Sequence, residues 1–224
     1  MACVHTSNKA SLNKLRRAMY NFDETNTRKA LSYLFTPDAI VHMPWPFGDM
    51  RGPDQLYNNC FAPLAKSIPD LERRDWIVVG GLTDIGDEWV GCGGHYTGTF
   101  LAPWLDIPPT GHIVHMRFHE FYKFKEGKVI EVQAIWDIPE VMMQGGCWPM
   151  APSLGREYHI PGPATLDGIV TGHWDEQKSN KSCSHIVEML EYMKLHPSTG
   201  GPEVMEMERF WHPKMNWYGP AGIG

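Results

Sequence analysis

Four extended runs with a period of two constrain the fold of this chain more than any other feature. They read DWIVVGG, EWVGCGGHYTGTF, HIVHMRFHEFYKF and KVIEVQAIWDI, and they fill most of residues 75–138. The loop LAPWLDIPPTG joins the middle two, and a tight turn at KEGK joins the last two. The runs therefore predict a long antiparallel sheet.

Three helical patterns precede this sheet. In SLNKLRRAMYNF one helical face carries Leu12, Leu15, Met19 and Phe22, with Ser11 as the expected N-cap. TRKALSYLF predicts a second helix that ends before Pro37, and GPDQLYNNCFAPLAKSI a third, with Pro53 in its first turn. IVHMP, between the second and third helices, predicts a short strand. Helices followed by an antiparallel sheet indicate the α+β class.

Composition narrows the classes of function. The 224 residues are 42% hydrophobic, enough for a sizeable core and one or two domains. A net charge of −6 without a Lys/Arg cluster disfavours a nucleic-acid partner, since Arg16–Arg17 and Arg73–Arg74 are isolated pairs typical of solvated faces. No 18-residue apolar run and no leader segment occur, so we expect no membrane association and a cytoplasmic location.

The cysteines and aromatic residues carry two further expectations. Five scattered cysteines without a CxxC pair favour reduced, structural thiols over disulfides or a zinc site. Aromatic residues make up 12% of the chain, nine of them Trp. Such a content is typical of a walled pocket for a small apolar or aromatic ligand, or alternatively of a well-filled core.

The C-terminal part repeats a pattern of the N-terminal part. FWHPKMNWYGPAGIG (210–224) aligns without a gap on LFTPDAIVHMPWPFG (34–48), so that Pro213 matches Pro37. A helical face of Ile186, Met189, Leu190 and Met193 follows Ser184, and PEVMEMERFW predicts another helix. We expect a first domain at 1–145, a Gly/Pro-rich linker or surface arm at 146–181, and the incomplete start of a second copy at 182–224. The alternative is a chance match of common Pro/Gly turns.

Several motifs together resemble the SnoaL-like polyketide cyclase (ester cyclase) family of the nuclear-transport-factor-2-like superfold. They are GTFLAPWLDIPPTGHIVHMRFHEFYKFKEGKVIEVQAIWDI, RGPDQLYNNCFAPLAKSIPDL and TPDAIVHMP, within about residues 10–145. The resemblance implies a cone: a curved sheet wrapped around helices, with a mostly apolar pocket at one end. Members include cyclases, and relatives include dehydratases, isomerases and plain binders, so the fold alone does not settle the chemistry.

The resemblance also implies candidate catalytic positions. A cyclase of this kind uses an Asp on the last strand, supported by a His and a Gln on the neighbouring strand. Those positions fall on Ala134, Glu120 and Phe118, and Ala134 cannot move a proton. The second acid of the last strand is present as Asp137, and the Tyr of the first helix matches Tyr20.

Strand alternation gives an independent view of these positions. If Phe118 and Glu120 face inward, Ala134 and Trp136 do so as well, and Asp137 has the opposite parity unless the strand ends there. Glu120 is then the candidate general base, with a pKa raised by burial among Met116, Phe118 and Trp136. The alternative is an exposed carboxylate paired with a Lys or Arg across the sheet.

His42 is the third catalytic candidate, although an ungapped alignment places Val41 at its position and a core histidine is equally compatible. Together with strand parity, the resemblance predicts a pocket lined by Tyr20, Trp45, Phe118, Glu120 and Trp136, with Met116 also expected to contact the ligand. Alternatively, Trp45 covers the helices. Of His112, His115 and His119, the last two share a face at roughly 13 Å, too far apart for one zinc shell. We expect no metal and no cofactor.

GCGG (91–94) indicates either room for a flat ligand or a bulge in a curved sheet.

Three hypotheses of function follow. The first is an acid–base enzyme, or a relative of one, acting on a small, largely apolar carbonyl compound. The second is a non-catalytic binding domain that has lost the Asp at position 134. The third is an assembly domain, a homodimer or tandem-repeat pseudo-dimer, which exposed apolar residues on the outer face of the sheet would favour.

Overall fold

The computed structural model describes residues 3–152, 159, 162, 168–169 and 175–215. The chain divides into two compact units, one of residues 1–172 with 219–224 and one of residues 173–218. Among the described residues, no helix combines the length and the apolar character that crossing a bilayer requires.

Three helices open the first unit: α1 (Val4–Ser11), α2 (Asn13–Tyr20) and α3 (Glu24–Leu34). The expected apolar face of α2 is confirmed, because Leu12, Leu15 and Met19 are buried and Phe22 is half-buried. Ser11 is not the N-cap, because it belongs to α1 and its hydroxyl donates to the Ser7 carbonyl. Helix α3 begins after Asp23, whose carboxylate accepts the Asn26 amide at 2.7 Å.

The third predicted helix is one run with an irregular centre. It comprises α4 (Gly52–Leu56), a π-helical turn (Tyr57–Phe61) and α5 (Ala62–Ser67). Pro53 occupies the first turn, as the sequence predicted, because its missing amide would have no helical acceptor there. The run places Tyr57, Cys60, Phe61 and Leu64 in the core.

The sheet has six strands in the order β2-β1-β6-β5-β4-β3. They are β1 (Phe35–His42), β2 (Asp49–Arg51), β3 (Glu72–Leu82), β4 (Glu88–Thr99), β5 (Ile113–Lys125) and β6 (Lys128–Trp136). Four neighbouring pairs are antiparallel, whereas β1 and β6 run parallel. Helices packed on a curved, unclosed sheet confirm the α+β class and the cone expected from the sequence.

The glycines of GCGG mark a bulge and not an open space. The register between β3 and β4 shifts between Asp75 and Ile77, opposite Gly93 and Gly94. A Cβ on Gly94 would lie 2.1 Å from the Arg74 carbonyl oxygen, so the two backbones approach too closely for a side chain there. The bulge bends β3 and places Trp76 beside His95, with ring centroids 5.3 Å apart.

The second unit contains α7 (Glu176–Met193), a 3-10 turn (Pro202–Met205) and α8 (Met207–Phe210). Helix α7 begins inside the segment expected to be linker, because Asp175, and not Ser184, caps it through the Lys178 amide. The second expected helix is interrupted at Glu206, where φ is +49°. Ile186 and Leu190 are 51% and 48% exposed, and residues 216–224 of the aligned segment lie outside the described residues.

Candidate functional site

Glu120 lies at the centre of the inner face of the sheet and is 2% exposed. Its Oε2 accepts hydrogen bonds from Arg73 Nη1 at 2.6 Å and from the Tyr122 hydroxyl at 2.5 Å. Its Oε1 accepts from the Tyr96 hydroxyl at 2.8 Å and from Trp136 Nε1 at 2.9 Å. We call these five residues the carboxylate cage.

Four different strands build the carboxylate cage. Register places Trp136 of β6 opposite Phe118, and Tyr96 of β4 opposite Arg73 of β3. Tyr122 follows Glu120 by two residues on β5 and therefore shares its face. The Arg73 guanidinium lies over the Phe118 ring, 4.2 Å from the centroid. Aromatic rings thus separate the ion pair from solvent.

A chain of alternating charges runs from Glu120 to the surface. Arg73 Nη2 lies 3.0 Å from Asp75 Oδ1, and Asp75 Oδ2 lies 2.9 Å from Nε of Arg16 on α2. Burial alone would lower the pKa of Arg73, but Asp75 and Glu120 outweigh it and raise that pKa well above its usual value. Burial opposes ionisation of Asp75, yet Arg73 and Arg16 outweigh it and lower its pKa.

The buried phenols and thiols near Glu120 keep their protons at neutral pH. Burial, helped by the negative charge of Glu120, raises the pKa values of Tyr96 and Tyr122 well above their usual range. Burial likewise raises the pKa of the Cys60 and Cys92 thiols to about 12. The phenols therefore act as hydrogen-bond donors, and these thiols supply no thiolate nucleophile.

Of the eight residues singled out from the sequence, four meet on the inner face. Met116, Phe118, Glu120 and Trp136 are all buried there. Val41 is fully buried, whereas the side chain of His42 is half-exposed, so Val41 is the inward residue of β1. His42 Nδ1 pairs with Asp49 of β2 at 2.8 Å. His42 is therefore separate from the carboxylate cage.

Tyr20 and Trp45 do not share a cavity with Glu120 either. Tyr20 ends α2, is 56% exposed and stacks on the Arg74 guanidinium at 3.7 Å. Trp45 is 88% exposed and is not among the lining residues of the arginine-rich cleft described below. The expected common pocket of Tyr20, Trp45, Phe118, Glu120 and Trp136 is thus not formed, because α2 presents Tyr20 to the edge strand β3 and the loop after β1 turns Trp45 outward.

Asp137 stands on the opposite side of the sheet, as its parity suggested. Strand β6 ends at Trp136, and Asp137 caps α6 (Ile138–Gln144) by accepting the Glu140 amide at 3.3 Å. Its Oδ2 lies 3.2 Å from Nη2 of Arg117, an outward residue of β5. The strand end therefore directs this carboxylate to an outer ion pair instead of the core.

Three residues of the carboxylate cage were not singled out in the sequence. The sequence predicts Arg73 to be part of a solvated pair, but Arg73 is 1% exposed. Extending the alternation of β5 by two residues would have found Tyr122. Arg73 had no such local signal, because a bulge follows it on β3, and Tyr96 is recognised as a partner only once the register of β4 with β5 is known.

A second feature is a cleft of about 650 Å³ at the β3 edge of the sheet. We call it the arginine cleft, and its described lining residues are Asn13, Arg16, Arg17, Tyr20, Arg74, Asp75, Trp76, His95, His159, Gly162 and Ile169. His159 Nε2 lies 3.0 Å from His95 Nε2, and its ring centroid is 4.8 Å from that of His115. Within the described ranges, no group of three or more His, Cys, Asp or Glu residues is arranged to hold a metal ion.

A sequence profile of the SnoaL-like polyketide cyclase family matches residues 13–145, more than half of the chain. The chain belongs to this family. As the family description implies, small molecules are the ligands of its members. No protein with a curated description matches the chain.

Solved structures agree with this family and its fold. A candidate SnoaL-like polyketide cyclase from Jannaschia sp. CCS1 is 23% identical, with a TM-score of 0.54, and the match covers 67% of this chain and 98% of that one. AclR, a candidate hydroxylase from Streptomyces galilaeus, is 20% identical, with a TM-score of 0.53 and coverage of 66% and 90%. IdmH, a candidate polyketide cyclase from Streptomyces antibioticus, is 19% identical, with a TM-score of 0.50 and coverage of 62% and 96%. At these identities the likeness shows the nuclear-transport-factor-2-like cone, and it does not transfer an activity.

Proposed function

We propose that this SnoaL-like chain binds a small, largely apolar or aromatic molecule without catalysing acid–base chemistry through Glu120. One observation carries the proposal: four donors occupy the two oxygens of the Glu120 carboxylate. A carboxylate offers about four lone-pair positions, so none is left to take a proton from a substrate. A general base needs such a position within hydrogen-bond reach of the proton that it abstracts.

The charge on Glu120 also stabilises its surroundings. Without the negative charge of Glu120, Arg73 would keep Asp75 as its only anionic partner among the described residues, in the buried core. A buried charge that loses its partner is strongly destabilising, because it has no water to replace the lost interaction. Glu120 is therefore well suited to hold the strands together through its ion pair with Arg73.

Position 134 supports the same proposal. The resemblance places the catalytic Asp of characterised cyclases there, and Ala134 lies directly opposite Glu120 in the register of β5 and β6. The methyl group of Ala134 has no exchangeable proton. The position that the resemblance assigns to proton transfer therefore has no proton-transfer group, on the strand beside a carboxylate whose hydrogen-bond positions are all occupied.

A joint binding and turnover screen tests the proposal. Aromatic and polyketide-like carbonyl compounds are screened by ligand-observed NMR, and each bound compound is then incubated with the protein and examined by mass spectrometry. We expect binders that are recovered unchanged. Turnover that disappears in Glu120→Gln while binding persists would restore the acid–base hypothesis, as would turnover that rises in Trp136→Phe, which frees one oxygen position of Glu120. Absence of any binder would contradict the binding function.

The outer face favours a second candidate, assembly with another copy of this chain. Val79 of β3, Phe121 of β5 and Ile135 of β6 are exposed apolar residues with outward parity. Gly91 lies between the first two, since a Cβ there would meet Phe121 at 3.0 Å and Val79 at 3.3 Å. Sedimentation velocity of the wild type and of Phe121→Lys tests this: a dimer that the substitution dissociates supports assembly, and a monomeric wild type contradicts it.

A further inference from the structure

We infer that the arginine cleft binds a flat, conjugated monocarboxylate. The inference rests on the proposed binding function and adds the place and the chemical class of the ligand. No residue of the carboxylate cage lines the cleft. Asp75 and Arg16, at the outer end of the charge chain, do line it. The site therefore lies at the β3 edge and not on the inner face of the sheet.

The charges of the lining define the ligand charge. Arg16 pairs with Asp75 at 2.9 Å, and Arg74 is ion-paired with Glu72. Arg17 is exposed and has neither a hydrogen bond nor an ion pair with any described residue. Among the described lining residues, one arginine thus remains available while the other two are engaged. A single carboxylate is its natural complement because the guanidinium fork matches it.

The aromatic lining defines the ligand shape. The Arg74 guanidinium covers one face of Tyr20, and the ring remains 56% exposed. Trp76 borders the same cleft but is only 4% exposed, so Tyr20 offers the ligand the larger accessible ring. Planar ligands gain offset stacking on such rings in addition to the burial of apolar surface. The volume of about 650 Å³ falls in the range of sites for small organic ligands.

His95 offers an independent sign that a ligand belongs here. The side chain borders the cleft and is almost fully buried, yet its Nδ1 has no hydrogen-bond partner in the part of the chain that the structure describes. Buried polar atoms are nearly always satisfied, and an exception calls for a ligand or water that completes it. A hydroxyl or carbonyl group on the conjugated acid would satisfy Nδ1.

A matched pair of probes and variants tests the site. We propose to titrate the full chain at pH 7 with 2-naphthoate and with the neutral 2-naphthalenemethanol, following the indole N–H signals by NMR. Trp76 reports on the cleft, whereas Trp136 reports on the inner face, since its N–H donates to Glu120. We expect naphthoate to shift the Trp76 signal and leave Trp136 unchanged, and to bind about fivefold to tenfold more tightly than the alcohol.

Two charge-removing variants complete the test. Arg17→Gln should abolish the preference for naphthoate over the alcohol, whereas Lys29→Gln, an exposed residue of α3 that does not line the cleft, should preserve it. Equal effects of the two variants, or no binding of naphthoate at millimolar concentration, would overturn the site. A shift of the Trp136 N–H signal alone would place the ligand on the inner face. That result would overturn the cleft as the binding site but would leave the proposed binding function intact.

Discussion

The two faces of strand β5 each hold a buried ion pair between an arginine and acidic residues, and they differ in how the pair is built. On the inner face, Glu120 collects partners from β3, β4 and β6 as well as from its own strand. On the outer face, Arg117 lies 3.2 Å from both Asp137 and Glu140, two residues at the start of one short helix. The inner network joins distant parts of the chain, and the outer one fastens a local turn.

The two networks therefore have different roles: the inner one stabilises the sheet, and the outer one caps a helix. Losing a partner on the inner face leaves a charge without water in the centre of the sheet. Losing Asp137 on the outer face removes a helix cap and one of two acidic partners of Arg117. We therefore expect similar substitutions to have different costs on the two faces.

The largest expected effect is that of Arg73→Met. It leaves Glu120 without its cation and Asp75 with Arg16 alone, so the free energy of unfolding should fall by about 3–5 kcal/mol. Urea unfolding at pH 7, followed by circular dichroism, measures the loss. Arg74→Met is the matched control on the opposite face of the same strand, and its surface ion pair with Glu72 predicts a loss below about 1 kcal/mol. Equal losses would mean that the inner network has no special role.

Acid should act on the outer face first. Burial, together with His159, His115 and Arg74, lowers the pKa of His95 from 6.5 to about 3. At pH values between about 3 and 6.5, His95 is protonated in the unfolded chain but not in the folded chain. The free energy of unfolding therefore decreases as the pH falls below about 6.5. From this one residue we expect a loss of about 2 kcal/mol between pH 7.5 and pH 5. The inner Arg73, Tyr96 and Tyr122 have pKa values raised well above their usual ones and do not contribute in this window.

Urea unfolding of the wild type and of His95→Gln at both pH values measures this effect. The amide keeps a polar group in place without titrating, so the variant should lose less stability than the wild type on going to pH 5. A pH dependence that is unchanged in the variant would show that other groups account for the acid response.

The smallest expected effect is that of Asp137→Ala. It removes the cap of α6 and the ion pair with Arg117, for a loss of about 1–2 kcal/mol in the free energy of unfolding. Asp137→Asn retains a capping oxygen and should recover most of this loss, because Asn is as good an N-cap as Asp. Thermal unfolding at pH 7 distinguishes the two variants. If Asn were as costly as Ala, the ion pair and not the cap would hold this turn.

Local patterns account for what could be predicted about the site. The period of two placed Met116, Phe118 and Glu120 inward, and the same period gave Asp137 the opposite parity. The resemblance identified the family and the cone, which the profile match over residues 13–145 confirms. Ala134 already indicated a departure from the proton-transfer pattern of the cyclases.

The partners of Glu120 could not be predicted in the same way. Inward parity is compatible with a free base in a pocket and with a saturated carboxylate in a filled core. The choice depends on Arg73 and Tyr96, which reach Glu120 through the pairing of β3 with β4 and of β4 with β5. Tyr20, His42 and Trp45 have side chains suitable for a binding site, but they lie elsewhere. Tyr20 stacks on Arg74, His42 pairs with Asp49, and Trp45 is exposed.

The sequence by itself determined the class of fold and the face to which each residue of β5 points, because these follow from periodicities within a few residues of the chain. Its motifs, by their resemblance, indicated the family. Only the tertiary structure decided that four strands bring their donors to one carboxylate and that an arginine cleft forms at the β3 edge. Both depend on contacts between residues far apart in sequence, such as Arg73 with Glu120 and Arg16 with Asp75. Such contacts depend on the register at the β3 bulge and on helix packing, which the period of two alone does not show.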